Sequence, residues 1–469
     1  MATTTATHST AAGTAVAADK HPKGLYVLFA TEMWERFSFY SMLAMFTLYL
    51  RDTTGQGFGW SSDAATGLYA NYLMFVYASP LVGGWLADKK LGYRKAVMLG
   101  GLFFMAGHLL LSFRSITIVY VALACLVIGN GLFKPNVSAM VGNLYPEGSH
   151  LKDRAYNIFY MGINVGAFLA PVVAEFVKGR FGFHPAFAVA AGGMAISVWI
   201  QWQFKRHIEA ADLLRKQRNA GQAANTAAVA VDAPPKGVSQ QTEGDASRAG
   251  AIDAIPDWKR IAALIVIFII VIIFWMVFHQ NGSTITYWAN ENTDWKVSGI
   301  ISNAINPAWV ILLTFPLVGF WKWMDSKGLE PSTPTKMVFG MVFTSLAFLV
   351  FFVAAKIGEG SVTGGDYYAY KMSPAWLLGA YGVLTLGELM LSPMGLSLVS
   401  KVAPVRFRGV MMGGWFVATA IGNKLTQIGQ LWDDWLHSSF WLMLSAAAMF
   451  MAIVLLVLLR PLKKAMPGV

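Results

Sequence analysis

The sequence predicts an all-helical membrane protein with twelve transmembrane helices in two six-helix halves, and three observations carry this prediction. Hydrophobic residues make up 56% of the 469 residues, and charged residues only 13%, about half of the roughly 25% that is typical of soluble domains. The mean hydropathy is +0.50. Twelve apolar stretches are each long enough to cross a bilayer, and a polar stretch over residues 205–259 separates the first six from the last six.

The apolar runs give the predicted spans in order. They cover residues 24–50, 64–87, 95–113, 116–141, 155–177, 185–204, 260–281, 299–322, 336–356, 374–400, 409–432 and 437–459. The domains that follow are a disordered tail (1–22), an N-terminal six-helix bundle (23–204), a polar linker (205–259), a C-terminal six-helix bundle (260–460) and a second tail (461–469). Within the linker, residues 208–218 are predicted to be helical, and the polar composition around Pro234 and Pro235 predicts disorder.

The distribution of positive charge predicts the orientation. The net charge is +11, and the basic residues concentrate in alternate loops, as expected where those loops stay in the cytoplasm. They are Lys89, Lys90, Arg94, Lys95, Lys152, Arg154, Lys322, Lys327, Lys336, Lys401, Arg406, Arg408, Arg460, Lys463 and Lys464. Both termini are therefore predicted to be cytoplasmic, and nucleic-acid binding is not supported. The lone Cys125 excludes a disulfide framework and a cysteine metal site. We expect no cleavable signal peptide, because residues 1–20 lack a basic segment before an apolar core.

The first predicted span carries charges that a lipid-facing helix would not tolerate. Glu32, Glu35 and Arg36 lie in the middle of an apolar segment, where each ionised group costs about 2.5–3.5 kcal/mol. At helical spacing these residues and Tyr40 share one face, and Glu32 and Arg36 form an i, i+4 pair. The stripe predicts a helix that faces a water-filled cavity. A helix lying on the membrane surface is disfavoured, because the opposite face and both flanks are apolar and lack a basic rim.

A few other costly polar groups fall inside predicted spans: Lys134, Asn164, Asn306 and Glu388. For the two asparagines, hydrogen bonding between helices is an equally good interpretation. An unpaired charge is a poor adhesive, so Lys134 and Glu388 point more strongly to function. His279, near the outer end of the seventh span, is interpreted either as solvated or as functional.

Together these groups suit a zwitterionic ligand. Arg36 and Lys134 can bind a carboxylate, with the arginine offering two parallel donors, and Glu388 from the other half can bind an ammonium group. Carboxylates that gain and lose a proton would supply coupling to a proton gradient. Aromatic residues that could form adaptable walls are Tyr40, Tyr69, Tyr77, Tyr160, Trp275 and Trp415.

Several segments resemble the proton-dependent oligopeptide transporters, a branch of the major facilitator superfamily. Residues 32–40 look like the family signature E-x-x-E-R-F-[ST]-x-Y. Further segments match family patterns in order: 83–95, 159–166, Asn306-Pro307, 387–395, 400–404, 414–416 and 422–423. The loop after the second span is echoed by residues 319–328 after the eighth, which is either a trace of duplication or a coincidence.

The resemblance implies proton-driven uptake of di- and tripeptides across the inner membrane of a bacterium. Glu32, Glu35, Arg36 and Lys134 would couple proton and peptide. The peptide-binding residues would be Arg36, Tyr40, Tyr77, Lys134, Tyr160, Asn164, Trp275, Asn306, Glu388 and Trp415. No cofactor other than the proton is expected, the protein is not expected to be an enzyme, and it is expected to work as a monomer in the lipid bilayer.

The sequence departs from the family pattern at three positions. Leu43 stands where an arginine is common, and His279 stands where an acidic residue is common. These two commonly pair to close one gate, so this gate must close in another way. Lys90 replaces a usually apolar residue.

Two other classes of function compete with peptide uptake. A transporter of the same fold could carry nitrate, a peptide-like drug or an amino-acid conjugate, or could export its substrate. Glu388 argues against nitrate, which has no cationic group. A membrane enzyme or a channel is a third reading, but the sequence holds no catalytic triad, metal cluster or phosphate loop, and its buried charges do not form one ring.

Overall fold

A computed structural model describes residues 20–145, 151–212, 255–362, 365–404 and 407–466. Most of the predicted N-terminal tail, the linker residues 213–254 with Pro234 and Pro235, and the last three residues lie outside this part of the chain. Within the described ranges the chain is helical, apart from turns and one isolated bridge between Thr293 and Met372. This confirms the all-helical class.

The described residues form twelve helices of 18 to 31 residues and one of eight. They are α1 (Lys23–Arg51), α2 (Ser62–Leu86), α3 (Tyr93–Leu110), α4 (Ile116–Asn143), α5 (Leu151–Phe181), α6 (Phe183–Gln203), α7 (Asp257–Phe278), α8 (Thr284–Glu291), α9 (Ile305–Ser326), α10 (Thr333–Ser361), α11 (Pro374–Val402), α12 (Arg408–Leu425) and α13 (His437–Ala465). Each predicted span overlaps one of the twelve long helices.

Eight helical segments of the described chain are long and apolar enough to cross a membrane. They are α4, α5 from Arg154, α6, the segment Asp257–Glu291, the segment Gly299–Ser326, α10, α11 as far as Gly395, and α13. This number of apolar helices indicates a multi-pass membrane protein.

Two boundaries differ from the sequence-based expectation. The predicted seventh span is not one continuous helix: α7 ends at Phe278, a 3-10 turn covers His279–Gly282, and α8 continues to Glu291. The break lies where the backbone packs closely, since a first side-chain carbon on Gly282 would be 2.0 Å from the Tyr69 hydroxyl oxygen. At the other end of the half, α13 runs to Ala465, beyond the expected end at 460, because Leu462 is buried and holds the last turn against the bundle.

The start of the linker also differs. Residues 208–212 do not begin an α-helix, which corrects the prediction over the described part of 208–218. They form the 3-10 turn Glu209–Ala211, in which Ile208 and Ala211 are fully buried. Asp212 accepts a hydrogen bond from the Arg94 backbone N–H at 3.0 Å. These contacts tie the chain to the start of α3 and compete with a regular helix.

The helices pack as two groups, α1–α6 and α7–α13. In the first group α1 packs against α5 and α6, and α3 packs against α4. In the second group α10 packs against α11 and α13. The groups meet where α2 packs against α12 and where α5 packs against α9 and the turn before it.

Glycine allows the close approach of α2 and α4. A first side-chain carbon on Gly83 would lie 1.8 Å from the carbonyl oxygen of Gly131, which leaves no room for a larger residue. In the loop that follows α2, Asp88 accepts a hydrogen bond from the Tyr93 hydroxyl at 2.7 Å, and Gly92 adopts φ = 77°. The echoed segment differs, because Gly319 has open space around its missing side chain.

The two ends of the bundle differ in how the halves are joined. We call the end with the start of α1 and the end of α13 the terminal face, and the other end the opposite face. Hydrogen bonds between the halves lie at the opposite face: Thr47 to Gly282 O at 2.9 Å, Arg51 to Glu291 at 2.6 Å, Thr66 with Tyr287 at 3.1 Å, Tyr69 to His279 O at 3.4 Å, Ser298 N to Glu175 at 2.7 Å, Lys424 to Asn71 at 2.6 Å and Gln430 to Asp63 O at 3.3 Å. We call the opposite face, where these bonds join the halves, the closed face.

Candidate functional site

The centre of α1 places two acids and one arginine together inside the protein. Glu32, Glu35 and Arg36 are each at most 2% exposed. Arg36 Nη2 donates to Glu35 Oε1 at 2.6 Å, and Arg36 Nε donates to Glu35 Oε2. Its contact with Glu32 is longer, 3.4 Å from Nε to Oε1. The predicted i, i+4 pair therefore forms, but the two hydrogen bonds of Arg36 go to its chain neighbour.

Aromatic rings cover the free side of the guanidinium. The central carbon of Arg36 lies 4.8 Å from the ring centre of Phe39 and 5.9 Å from that of Tyr40. Rings in this position interact favourably with a cation through their negative faces. Arg36 is thus held in place by Glu35 on one side and by two rings on another.

Lys134 from α4 joins the same cluster. Its ammonium lies 4.7 Å from the ring centre of Tyr77 and interacts electrostatically with Glu32, Glu35 and Arg36. Lys134 lies in a segment where Gly131 permits close packing of α2. The structure therefore brings together the four residues predicted to couple proton and peptide.

The second half contributes one carboxylate, Glu388 of α11. Asn306, the second residue of α9, donates through Nδ2 to Glu388 Oε2 at 2.9 Å and to the Thr385 hydroxyl at 3.0 Å. Asn306 and Glu388 were predicted as separate ligands for peptide. In this structure they form a single hydrogen-bonded unit, with one amide orienting the acid.

Three tyrosines of the first half connect the two clusters. Tyr40, Tyr77 and Tyr160 all lie close enough to Glu388 to interact with it electrostatically. Tyr160 is 40% exposed although it lies well inside α5. The predicted ligands from α1, α2, α5 and α11 therefore surround one region between the halves.

Two of the predicted ligands, Asn164 and Trp415, are already engaged in contacts within the protein. Asn164 is buried and donates to the Tyr160 carbonyl, one turn earlier, at 2.9 Å. Its amide thus supports α5 next to Tyr160. Trp415 is buried against α11, where a first side-chain carbon on Gly395 would lie 2.1 Å from its ring.

Trp275 and His279 form a stacked pair at the end of α7. Their ring centres are 4.8 Å apart and nearly parallel, and Tyr77 packs on the other side of His279 at 5.6 Å. His279 is 7% exposed, so the interpretation of a solvated histidine is wrong. Leu43 is also buried. Both of these positions, which depart from the family pattern, thus lie inside the protein.

Two polar residues next to this region were not among the predicted ligands, although Asn423 belongs to the matched segment 422–423. Thr385 lies one turn before Glu388 on the same helix and shares its donor, Asn306, so i, i+3 spacing could have identified it. Asn423 is fully buried and lies beside His279. No spacing in the sequence signals this.

Comparisons with known proteins agree with one another over most of the chain. The model of the POT family matches residues 94–434. An uncharacterized transporter of Bacillus subtilis, YclF, is 30% identical over 96% of both chains. A di-/tripeptide transporter of Lactococcus lactis subsp. lactis is 29% identical over 96% of this chain and 97% of its own. Among solved structures, a mutant of a peptide transporter POT in complex with sulfate matches with a TM-score of 0.81, 29% identity and 96% coverage of both chains.

Proposed function

This chain belongs to the POT family, and from that premise we propose that it is a proton-coupled symporter that imports di- and tripeptides across the inner membrane of a bacterium. The family and the named relatives are transporters, so the chain is not an enzyme. Coupling to protons, the inward direction of transport and the roles of individual residues are the parts that we propose.

The observation that carries the proposal is the separation of charge between the halves. Arg36 and Lys134 lie in the first half, and Glu388 lies in the second. A zwitterion with its carboxylate on the first pair and its amino group on Glu388 would attract both halves. Binding would then favour closure of the terminal face.

The two acids of α1 supply a means of coupling. A buried Arg36 is held by two carboxylates and lies beside a second cation, Lys134. A proton taken up by one acid would weaken its hold on the cations and free them for a peptide carboxylate. Release of the peptide would restore the ion pair and expel the proton.

The proposed function also fixes how the protein is oriented in the membrane. Twelve spans form two six-helix bundles, with α7 and α8 together as the seventh span, and both termini lie in the cytoplasm. The closed opposite face is then the external one, and the structure corresponds to an inward-open state. Transport needs no second copy of the chain, because both charge clusters come from one chain.

The test is uptake of labelled di-alanine into proteoliposomes. We expect accumulation under an inward proton gradient and its loss when an ionophore collapses that gradient. Uptake that is indifferent to the gradient would remove the coupling. If the protein binds di-alanine but no uptake occurs, the protein is either an exporter or was reconstituted in the opposite orientation. Efflux from preloaded vesicles distinguishes these two cases.

A competition panel tests the cargo. Di-, tri- and tetrapeptides are added with nitrate, a phosphonopeptide and an amino-acid conjugate against one labelled dipeptide. We expect di- and tripeptides to compete and nitrate to compete far more weakly, because nitrate has no cationic group to pair with Glu388. Competition by non-peptides alone would replace the peptide with another cargo of the same site.

A further inference from the structure

A groove on the outer surface of the second half has the chemistry of a lipid site. It lies between the start of α7 and the end of α13, with a volume of about 390 Å³. Its wall consists of small and apolar residues, and its rim carries Lys259, Lys464 and Trp258. The remaining lining residues are Ile255, Ala262, Ala263, Val266, Leu458, Pro461, Leu462 and Ala465.

We propose that this groove binds an anionic phospholipid, with an acyl chain along the apolar wall and the phosphate between Lys259 and Lys464. The proposal is independent of the transported substrate. It requires only that α7 and α13 face the bilayer, which the exposed apolar residues Ile265, Ile269 and Val457 on these two helices support.

The position of the two lysines sets the depth of the headgroup. Lys259 is the third residue of α7, and Lys464 is the last but one of α13. The helices run in opposite directions, so both ammonium groups lie at the terminal face of the bundle. Basic side chains at this level, between membrane helices, attract anionic headgroups.

Neither lysine forms an ion pair with any described residue. The Lys259 ammonium lies 5.5 Å from the ring centre of Trp258, and both lysines are exposed. The neighbouring Arg260 is different, because it is buried and donates to the Val402 carbonyl at 2.8 Å. Asp257, the acid in the first turn of α7, does not line the groove. The rim therefore presents positive charge to an outside ligand.

The shape of the groove favours a chain over a compact ion. Ala262 and Ala263 on one side and Ala465 on the other leave a depression between the helices. Trp258, at the end of the groove nearest the terminal face, is 67% exposed. Tryptophan is favoured at the level of lipid headgroups. An acyl chain can make van der Waals contact along this apolar wall, which a free phosphate cannot.

Native mass spectrometry of the detergent-purified protein tests the proposal, with phosphatidylglycerol and phosphatidylcholine titrated separately. We expect at least one tightly held phosphatidylglycerol and no equivalent phosphatidylcholine. The variant Lys259→Gln/Lys464→Gln should weaken this binding about tenfold or more, since each lysine near a membrane surface contributes on the order of a few-fold in affinity. The matched control is Lys322→Gln/Lys463→Gln, which removes two exposed charges at the same face but outside the groove and should change nothing.

A second variant separates lipid from free anion. Ala262→Phe fills the groove and leaves both lysines in place, so it should displace the lipid. Inorganic phosphate and glycerol phosphate should not compete at concentrations where the lipid binds. If phosphatidylglycerol binds equally well to the wild type and to Lys259→Gln/Lys464→Gln, the proposed lipid site is wrong. Binding lost with the lysines but unaffected by Ala262→Phe and matched by glycerol phosphate would show an anion site instead of a lipid site.

Discussion

Arg36 binds its two acidic neighbours unequally, and from this difference we propose different roles for them. Glu35 accepts two hydrogen bonds from the guanidinium. Glu32 makes only the longer contact, and its Oε2 has no hydrogen-bond partner within the described residues. Glu35 therefore positions the arginine, and Glu32 has a free oxygen that can receive a proton.

This division predicts different losses in two isosteric variants. Glu32→Gln should abolish gradient-driven accumulation of di-alanine and retain counterflow exchange, because Arg36 keeps both of its hydrogen bonds. Glu35→Gln should also impair exchange and raise the KM at least about tenfold, because each hydrogen bond to a charged group contributes about 1.5–3 kcal/mol. Both rates are measured in the same proteoliposomes. Equal loss of accumulation and exchange in both variants would argue against separate tasks.

Asn306 allows a second prediction at this scale. It donates to Glu388 and to Thr385, so Asn306→Leu should leave Glu388 without its orienting donor and raise the KM for di-alanine about tenfold. Thr385→Val is the matched control, because it removes a contact of Asn306 but keeps the bond to Glu388. Its effect should be smaller. A larger effect of Thr385→Val would show that the hydrogen bond of Asn306 to Thr385 matters more than its hydrogen bond to Glu388.

At the scale of helices, packing between α2 and α4 depends on the absence of a side chain. Gly83 meets the backbone of Gly131, whereas Gly319, at the corresponding place near the end of the eighth span, meets nothing within 4 Å. The similarity of the two segments in sequence thus does not extend to their packing. Gly83 allows two helices to approach at backbone contact, whereas Gly319 takes part in no such approach.

The pair of glycines therefore predicts opposite effects of one substitution. Gly83→Ala should destabilise the protein by about 1–3 kcal/mol through overpacking. Gly319→Ala should be neutral or stabilise by up to about 1 kcal/mol, because alanine favours the helix. Thermal melting of both variants in the same detergent measures the difference. Similar melting temperatures for the two variants would contradict the close approach of α2 and α4.

Across the whole molecule, several contacts join the halves at the opposite face, which is the external gate in the function that we propose. Leu43 and His279 hold no opposite charges, and the cross-half bonds lie further out. Arg51 contacts Glu291 at 2.6 Å and packs 4.2 Å from the ring centre of Tyr287. Glu175 of α5 accepts from the backbone and hydroxyl of Ser298. Several moderate contacts thus hold the halves together at this face.

The exposure of this gate sets the size of the expected effect. The side chains of Arg51 and Glu291 are 20% and 39% exposed, and such pairs contribute up to about 1 kcal/mol. Arg51→Gln should therefore raise the population of the outward-open state only about two- to fivefold. The measurement is alkylation of a cysteine introduced at Leu43, in a Cys125→Ser background, by an impermeant reagent from the external side. Charge reversal of both residues together, Arg51→Glu/Glu291→Arg, should restore the slow rate, and an unchanged rate in the single variant would exclude the pair from the gate.

The sequence by itself determined the class of the protein and the place of its long helices, because a bilayer imposes length and apolarity on each span directly. It also identified Glu32, Glu35, Arg36, Lys134 and Glu388, since a charge inside an apolar run is costly wherever the helix packs. Only the tertiary structure decided how these charges pair. The preference of Arg36 for Glu35, the bond between Asn306 and Glu388, and the burial of His279 depend on side-chain directions and on contacts between distant helices. The break after α7 and the closed opposite face arise in the same way, because contacts between the halves have no periodicity in the chain that spacing could reveal.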